Sequence, residues 1–173
     1  MQEEVLYTPE ELANKLKLSK YTIYEMIKRG DISAHHIGRS IRVSQTQLDL
    51  YLMNTGKAEN VFDGEIITEG NLKFGVTNGV KISVSTELEG QVKIAIRSED
   101  IIIGKEAFKS SARNVHKGVV EDIEVDGESV KVLLDVGIPL RILITKASMI
   151  EMDIKKRDEL YAIFKAMSVV VLK

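Results

Sequence analysis

Hydrophobic and polar positions change period near residue 55. Before it, apolar residues recur at helical spacing: Leu12, Ala13 and Leu16 in one run, Ile23, Met26 and Ile27 in the next, and QTQLDLYLM (45–53) in a third. Between the second and third, ISAHHI and IRV flank Gly38-Arg39-Ser40 and predict a hairpin. Beyond residue 60 the period shortens toward two. KFGVTNGVKISVS, GQVKIAIRSEDIII, KGVVEDIEVDGESVKVLLDVG, PLRILIT and LYAIFKAMSVVVL are short β-branched runs split by glycine or charge. Their spacing predicts an antiparallel barrel, with Asp126-Gly127 as the centre of one tight hairpin turn. MNTGKAEN (53–60) is polar and lacks apolar periodicity. The chain is therefore expected to be α+β: a helix-turn-helix domain over 1–53, a linker over 54–60 and a β-barrel domain over 61–173.

End signals sharpen the helices. Thr8 caps the first, Pro9 fits its first position, and Glu11 completes a T-x-x-E capping box. That helix stops near Lys17-Leu18. Ser19 caps the second, which ends at Gly30 with Lys28 and Arg29 in its last turn. Ser44 caps the third. Two helices across so short a turn form a helix-turn-helix. Lys20, Tyr21, Thr22, Glu25 and Arg29 fall largely opposite its apolar face.

Charge adds an asymmetry to this division. The chain carries a net charge of −2, yet residues 15–42 hold seven Lys/Arg against two acids, a local +5 that leaves −7 elsewhere. A basic segment in an acidic protein points to a polyanion partner or to a solvated charged face. Cysteine is absent, which excludes thiolate metal sites and disulfides. No apolar run approaches the roughly 20 residues that span a bilayer, and MQEEVLYTPEEL lacks the apolar core of a signal peptide. The expected location is the cytoplasm, with no membrane contact.

YTPEELA, then L-x-x-S-x-x-T-I-Y-x-x-I-x-x-G, then I-G-R-S-I-R-V and D-L-Y-L, all within residues 6–52, resemble the excisionase-like, MerR-related winged helix-turn-helix module. The resemblance implies that the second helix enters the major groove of double-stranded DNA. Lys20, Tyr21, Thr22 and Arg29 would then face DNA, and Arg39 and Arg42 would touch phosphate or the minor groove. A protein–protein adaptor on the same scaffold is the alternative. His35 and His36, adjacent on a strand, point to opposite faces and make a poor metal pair; one is expected at the surface or on phosphate, the other in packing.

The barrel region carries a faint repeat. Asn60-Val61-x-x-Gly64 recurs as Asn114-Val115-x-x-Gly118, and VKIAIRSED (92–100) has the outline of LRILITKAS (140–148). On that pairing Glu59, Arg97 and Asp100 stand where the second copy has Arg113, Thr145 and Ser148. Two of the first three are carboxylates, so only the second half is equipped for an anion.

SSARN (110–114) is a cluster of donors beside one small residue, with no carboxylate, thiol or aromatic ring. SARN, the run from Gly118, I-T-x-x-S (144–148) and KAMSV (165–169) resemble the TOBE or Mop-type oxyanion-binding domain, an OB-like β-barrel. From Glu59 onward, including IRSEDI (96–101), the chain is similar to the C-terminal regulatory region of tungstate/molybdate ABC-transporter ATPases. No G-x-x-x-x-G-K-[ST] phosphate loop accompanies it. The resemblance implies molybdate or tungstate as ligand, with Ser111, Arg113, Thr145, Ser148 and Lys165 as donors and Ala166, like Ala112, leaving room for backbone to approach. A tetrahedral dianion accepts hydrogen bonds only, which suits hydroxyls and cations. A short helix from Thr145 would add amide donors. Met167 and Ser98 depart from the family pattern.

Family sites of this kind lie between subunits, and helix-turn-helix proteins bind paired half-sites. Both imply a homodimer or higher homo-oligomer. The expected function is a one-component transcriptional regulator that senses molybdate or tungstate. The alternative is a storage or buffering protein that uses its N-terminal module for protein contacts. No enzyme is expected, since no catalytic ordering, metal spacing or phosphate loop stands out and His116 has no evident partner in sequence.

Overall fold

The computed structural model describes residues 4–55 and 59–173. The chain divides into two compact units, residues 1–57 and 58–173. The expected linker, 54–60, lies partly outside the described residues; from Asn60 onward its end is already strand.

The N-terminal unit contains β1 (Leu6–Tyr7), α1 (Pro9–Leu16), α2 (Lys20–Arg29), β2 (His35–Ile37), β3 (Ser40–Ser44) and α3 (Gln45–Asn54). Its helices end as the sequence predicts. Thr8 accepts from the Glu11 amide at 3.2 Å while the Glu11 carboxylate accepts from the Thr8 amide at 2.9 Å. Lys17 turns the chain in the left-handed region at φ 56°, and Gly30 does so at φ 82°. Ser44 and Gln47 form a second capping box. The apolar faces meet in a core of Leu12, Ala13, Ile23, Met26, Ile32, Val43 and Leu48. Strand β1, too short to register as a pattern, pairs with β3 and gives a small sheet of order β1-β3-β2. The ISAHHI run is strand only from His35, and both His35 and His36 are exposed. The expectation that one of them packs inward is therefore corrected: β2 is an edge strand, covered on neither face.

The C-terminal unit is built twice. Its first half is β4 (Asn60–Glu69), β5 (Leu72–Thr77), β6 (Val80–Val84), β7 (Gly90–Ile96), a 3₁₀ turn at Ser98–Asp100 and β8 (Ile102–Gly104). Its second half is β9 (Asn114–Asp126), β10 (Ser129–Asp135), β11 (Pro139–Thr145), α4 (Lys146–Glu151), β12 (Glu159–Phe164), a 3₁₀ turn at Ala166–Ser168 and β13 (Val169–Leu172). The two halves make two curled antiparallel sheets, ordered β6-β5-β4-β7-β13 and β11-β10-β9-β12-β8. Each half therefore lends its last strand to the other: β8 pairs with β12, and β13 with β7. One apolar core, including Ile82, Ile94, Val120, Leu140, Leu160 and Phe164, serves both.

The repeated asparagine and glycine have structural reasons. Asn60 and Asn114 are fully buried at the starts of β4 and β9. The Asn60 amide donates to the Arg141 carbonyl at 2.8 Å, and the Arg141 N–H donates to its oxygen at 2.7 Å. Asn114 makes the same pair with Ser83, at 2.9 and 2.8 Å. Each asparagine thus clamps the third strand of the opposite half. At Gly118 a Cβ would sit 2.4 Å from the Asp135 carbonyl oxygen, and at Gly64 it would sit 2.8 Å from that of Val76. Only glycine lets the neighbouring strand come so close.

Two expectations shift. The segment after β7 corresponds to the segment after β12, because Ile96 pairs with Asn60 as Phe164 pairs with Asn114. Arg97 is thus the counterpart of Lys165 and Asp100 that of Ser168, not of Thr145 and Ser148. β11 and β12 are both short apolar runs followed by a lysine, so pattern alone slips by one strand. The hairpin turn after β9 is Gly127-Glu128, with Gly127 at φ 59° and Asp126 already paired with Ser129.

Candidate functional site

Antiparallel pairing brings two distant motifs together. β12 runs against β9 with Phe164 opposite Asn114. The residues just before β9 and just after β12 therefore emerge side by side, so Arg113 and Lys165 flank the same pair. The two segments border a cleft of about 390 Å³. Ser110, Ser111, Ala112, Lys165 and Ser168 line one part of it, over a floor of Ile163 and Phe164. Glu99 and Asp100 line another part, because the first half's 3₁₀ turn leads into β8, the strand lent to β12. Asp100 is tied to Arg97 at 2.9 Å.

Of the sequence candidates, Ser111 and Lys165 line this cleft, both exposed. Arg113 is exposed beside it in the chain, and Ala166 is half-buried in the 3₁₀ turn. Thr145 and Ser148 lie elsewhere. Thr145 pairs with Ser129, which pairs with Asp126 at the far end of β9 from Asn114. Thirteen residues of strand, about 40 Å of contour, separate those two ends. Thr145 caps α4, accepting from the Ser148 amide at 3.1 Å and donating to its hydroxyl at 2.9 Å. The six-residue helix thus spends that amide on its own cap. One chain consequently presents two separate donor groups. Ser110, the first donor of the SSARN cluster, lines the cleft as well; Ser168, inside KAMSV, was not singled out by the sequence reading.

Asn114, the last letter of SARN, is a clamp rather than a surface donor. His116 has partners after all. Its ring stacks on Phe164 with centroids 5.6 Å apart, and its Nε2 lies 3.1 Å from the Asn114 Oδ1. That oxygen already accepts from the Ser83 N–H, so the histidine must donate, which fixes its proton on Nε2. Burial pushes the His116 pKa below its ordinary value of 6.5.

In the N-terminal unit, Lys20, Tyr24, Arg39 and Arg42 border one open cleft between the start of α2 and the hairpin. Lys20 forms an ion pair with Glu10 and lies 5.9 Å from the Tyr24 ring centroid. The partner lowers the Glu10 pKa and raises that of Lys20. Tyr21 is 74% exposed. Arg29 pairs with Asp31 at 2.9 Å, and Arg42 donates to the Ile41 carbonyl at 2.9 Å. Thr22 sits in the first turn of α2. It is half-buried, and its hydroxyl is hydrogen-bonded to that of Ser19 at 2.7 Å, so it helps cap α2.

A helix-turn-helix bearing a β-hairpin, followed along the chain by a doubled OB-like half-barrel, defines a two-domain protein with a DNA-binding type of N-terminal domain. Comparison with known families agrees at the level of domains. Residues 6–55 match the helix-turn-helix domain family and residues 110–171 match the TOBE domain family. The chain joins these two domains. It is 43% identical over 112 residues to the molybdate/tungstate import ATP-binding protein WtpC of Pyrococcus horikoshii, covering 64% of this chain and 30% of that one. Against WtpC of Pyrococcus abyssi the identity is 40% over 114 residues, covering 65% and 32%. The chain spans about a third of the length of these relatives. In fold it is similar to the cytoplasmic molybdate-binding protein ModG, solved with molybdate bound, at a TM-score of 0.58 and 22% identity, covering 66% of this chain and 96% of that one. Among the described residues, no helix is long and apolar enough to cross a membrane.

Proposed function

We propose that this chain is a transcriptional regulator whose N-terminal unit binds double-stranded DNA and whose C-terminal unit senses molybdate or tungstate. The observation that carries the reading is the β9–β12 register, which sets SARN and KAMS side by side at one cleft. Hydroxyls of Ser110, Ser111 and Ser168 offer directional donors there. Lys165 and the neighbouring Arg113 offer positive charge for a dianion that only accepts. Relatives that import molybdate and tungstate, and a similarly folded molybdate-binding protein, support the choice of anion.

Thr145 and Ser148 enter this reading through a second copy. They are at the opposite end of β9 from Lys165, so one chain's cleft can meet them only on a partner. The working unit is then a homo-oligomer, and the anion bridges its copies. Bridging fixes the spacing of two DNA-reading heads, which links anion occupancy to operator binding. Lys20, Tyr21, Arg29, Arg39 and Arg42 are the groups proposed to meet DNA; Thr22 acts behind them as a cap. The unit's role is read as binding rather than catalysis.

Calorimetric titration of the full chain with molybdate, tungstate and sulfate tests the sensor. Tight uptake of the first two, weakened at least about tenfold in Lys165→Ala by loss of a charged hydrogen bond, is expected. Failure of all three to bind would reduce the motifs to scaffold. Titration of the saturated protein into genomic DNA fragments then separates regulator from buffer. A regulator binds selected fragments with a steep salt dependence, and a storage protein does not.

A further inference from the structure

The cleft has a feature that an oxyanion site does not need: a carboxylate from the opposite half of the fold. We infer that Glu99 holds down the affinity of this cleft for fully deprotonated oxyanions, and not for those that keep a proton, and so sets the concentration at which the site fills. The inference rests on reading the cleft as an oxyanion site.

Strand exchange is what puts Glu99 there. β8 must cross to β12, and the 3₁₀ turn before it travels along, carrying Glu99 and Asp100 to the cleft that Ser111, Lys165 and Ser168 also line. The two acids differ in how they are held. Asp100 has its charge balanced by the Arg97 guanidinium at 2.9 Å. Glu99 is exposed, with the Ser98 hydroxyl 3.5 Å from its Oε2, and among the described residues no cation pairs with it. Its charge is therefore left to act on whatever occupies the cleft. Its counterpart in the repeat is Met167, so the carboxylate belongs to the first half's turn alone.

A carboxylate accepts hydrogen bonds and does not donate them. Molybdate, tungstate and sulfate at neutral pH likewise only accept, so Glu99 meets them with repulsion and no compensating bond. Inorganic phosphate keeps a proton at neutral pH and can donate its O–H to Glu99. The same side chain thus opposes one class of oxyanion and tolerates the other.

The test compares the full-length chain with E99Q and with E121Q, which removes the same charge from an exposed position on β9. Each is titrated calorimetrically with sodium molybdate and with inorganic phosphate, at low and at high salt. E99Q is expected to bind molybdate about tenfold more tightly at low salt, with the gain shrinking as salt screens it. Phosphate affinity should not rise, and E121Q should match the wild type. Wild-type molybdate affinity in E99Q would overturn the inference, as would an equal gain in E121Q or an equal gain for phosphate. If neither the wild type nor E99Q takes up molybdate, the oxyanion reading itself falls, and this inference falls with it.

Discussion

The paired asparagine clamps give the sharpest prediction about how the C-terminal unit holds together. Replacing Asn114 by alanine removes two hydrogen bonds to Ser83 and strands a backbone N–H and a carbonyl that face a buried side chain and are themselves half-buried. Two bonds at about 1 kcal/mol each, plus desolvated groups left unpaired at about 1 kcal/mol or more, give a loss of about 3 kcal/mol. Asn60→Ala removes the matching pair at Arg141, and this clamp loss of about 3 kcal/mol is its whole expected cost. Asn114→Ala should exceed it by about 1 kcal/mol, because the His116 Nε2–H also loses its acceptor. With a urea slope of about 2 kcal/mol/M, the midpoint should fall by about 1.5 M in Asn60→Ala and by about 2 M in Asn114→Ala. Hydrogen exchange in urea, read by mass spectrometry on peptides from β4, β9 and α2, resolves the units. Both sheets should weaken together in either variant while α2, with its own core, keeps its protection. A cost below about 1 kcal/mol, or loss of protection confined to the mutated half, would refute the view that these side chains lock the halves to each other.

The repeated glycines make a parallel case: Gly118→Ala should cost at least about 3 kcal/mol through its 2.4 Å approach to a backbone carbonyl, measured as a drop in Tm. Gly64→Ala should cost less, since its backbone approach is 2.8 Å to the Val76 carbonyl oxygen rather than 2.4 Å, and its other close neighbour at 2.7 Å is the flexible end of Ile94. Arg42→Ala should lower DNA affinity across sequences and reduce the slope of log K against log salt by about 1, read by fluorescence anisotropy at several salt concentrations. His116 supplies a pH signature. Its folded pKa lies below the ordinary 6.5, so the unfolded chain binds the proton more readily. Its contribution is present above that value and is lost as pH falls through the folded pKa, so the wild type should lose more stability between neutral and acidic pH than His116→Gln in matched urea melts.

Much of this was legible in the sequence because the signals were local. Caps at Thr8, Ser19, Lys17-Leu18 and Gly30 announced the helix ends, and alternation announced the strands. The repeat at Asn60 and Asn114 was visible too, although its purpose was not. Clamps to Arg141 and Ser83 join residues 81 and 31 positions apart, a distance no local pattern reports. The exchanged strands escaped for a similar reason: β8 and β13 are three and four residues long, and nothing in three residues says which sheet they complete. The same blindness misplaced Arg97 and Asp100. It also hid the separation of Thr145 and Ser148 from Lys165, since motifs read in order along a chain carry no statement about which end of a strand they occupy. The Ser19–Thr22 hydroxyl contact was not legible either, because nothing in the sequence says which way a hydroxyl in the first turn of a helix turns.

Strand exchange leaves the two halves joined covalently by residues 105–113 alone. That tether does more than connect. Each half lacks one strand that only the other supplies, so the tether acts by keeping the effective concentration of the missing strand high. Cleaving it would leave two fragments that must find each other to complete either sheet. Ser110 and Ser111 are on this same segment. An anion held between them and Lys165 would pin the tether to the end of β12, fastening the one covalent connection between the halves.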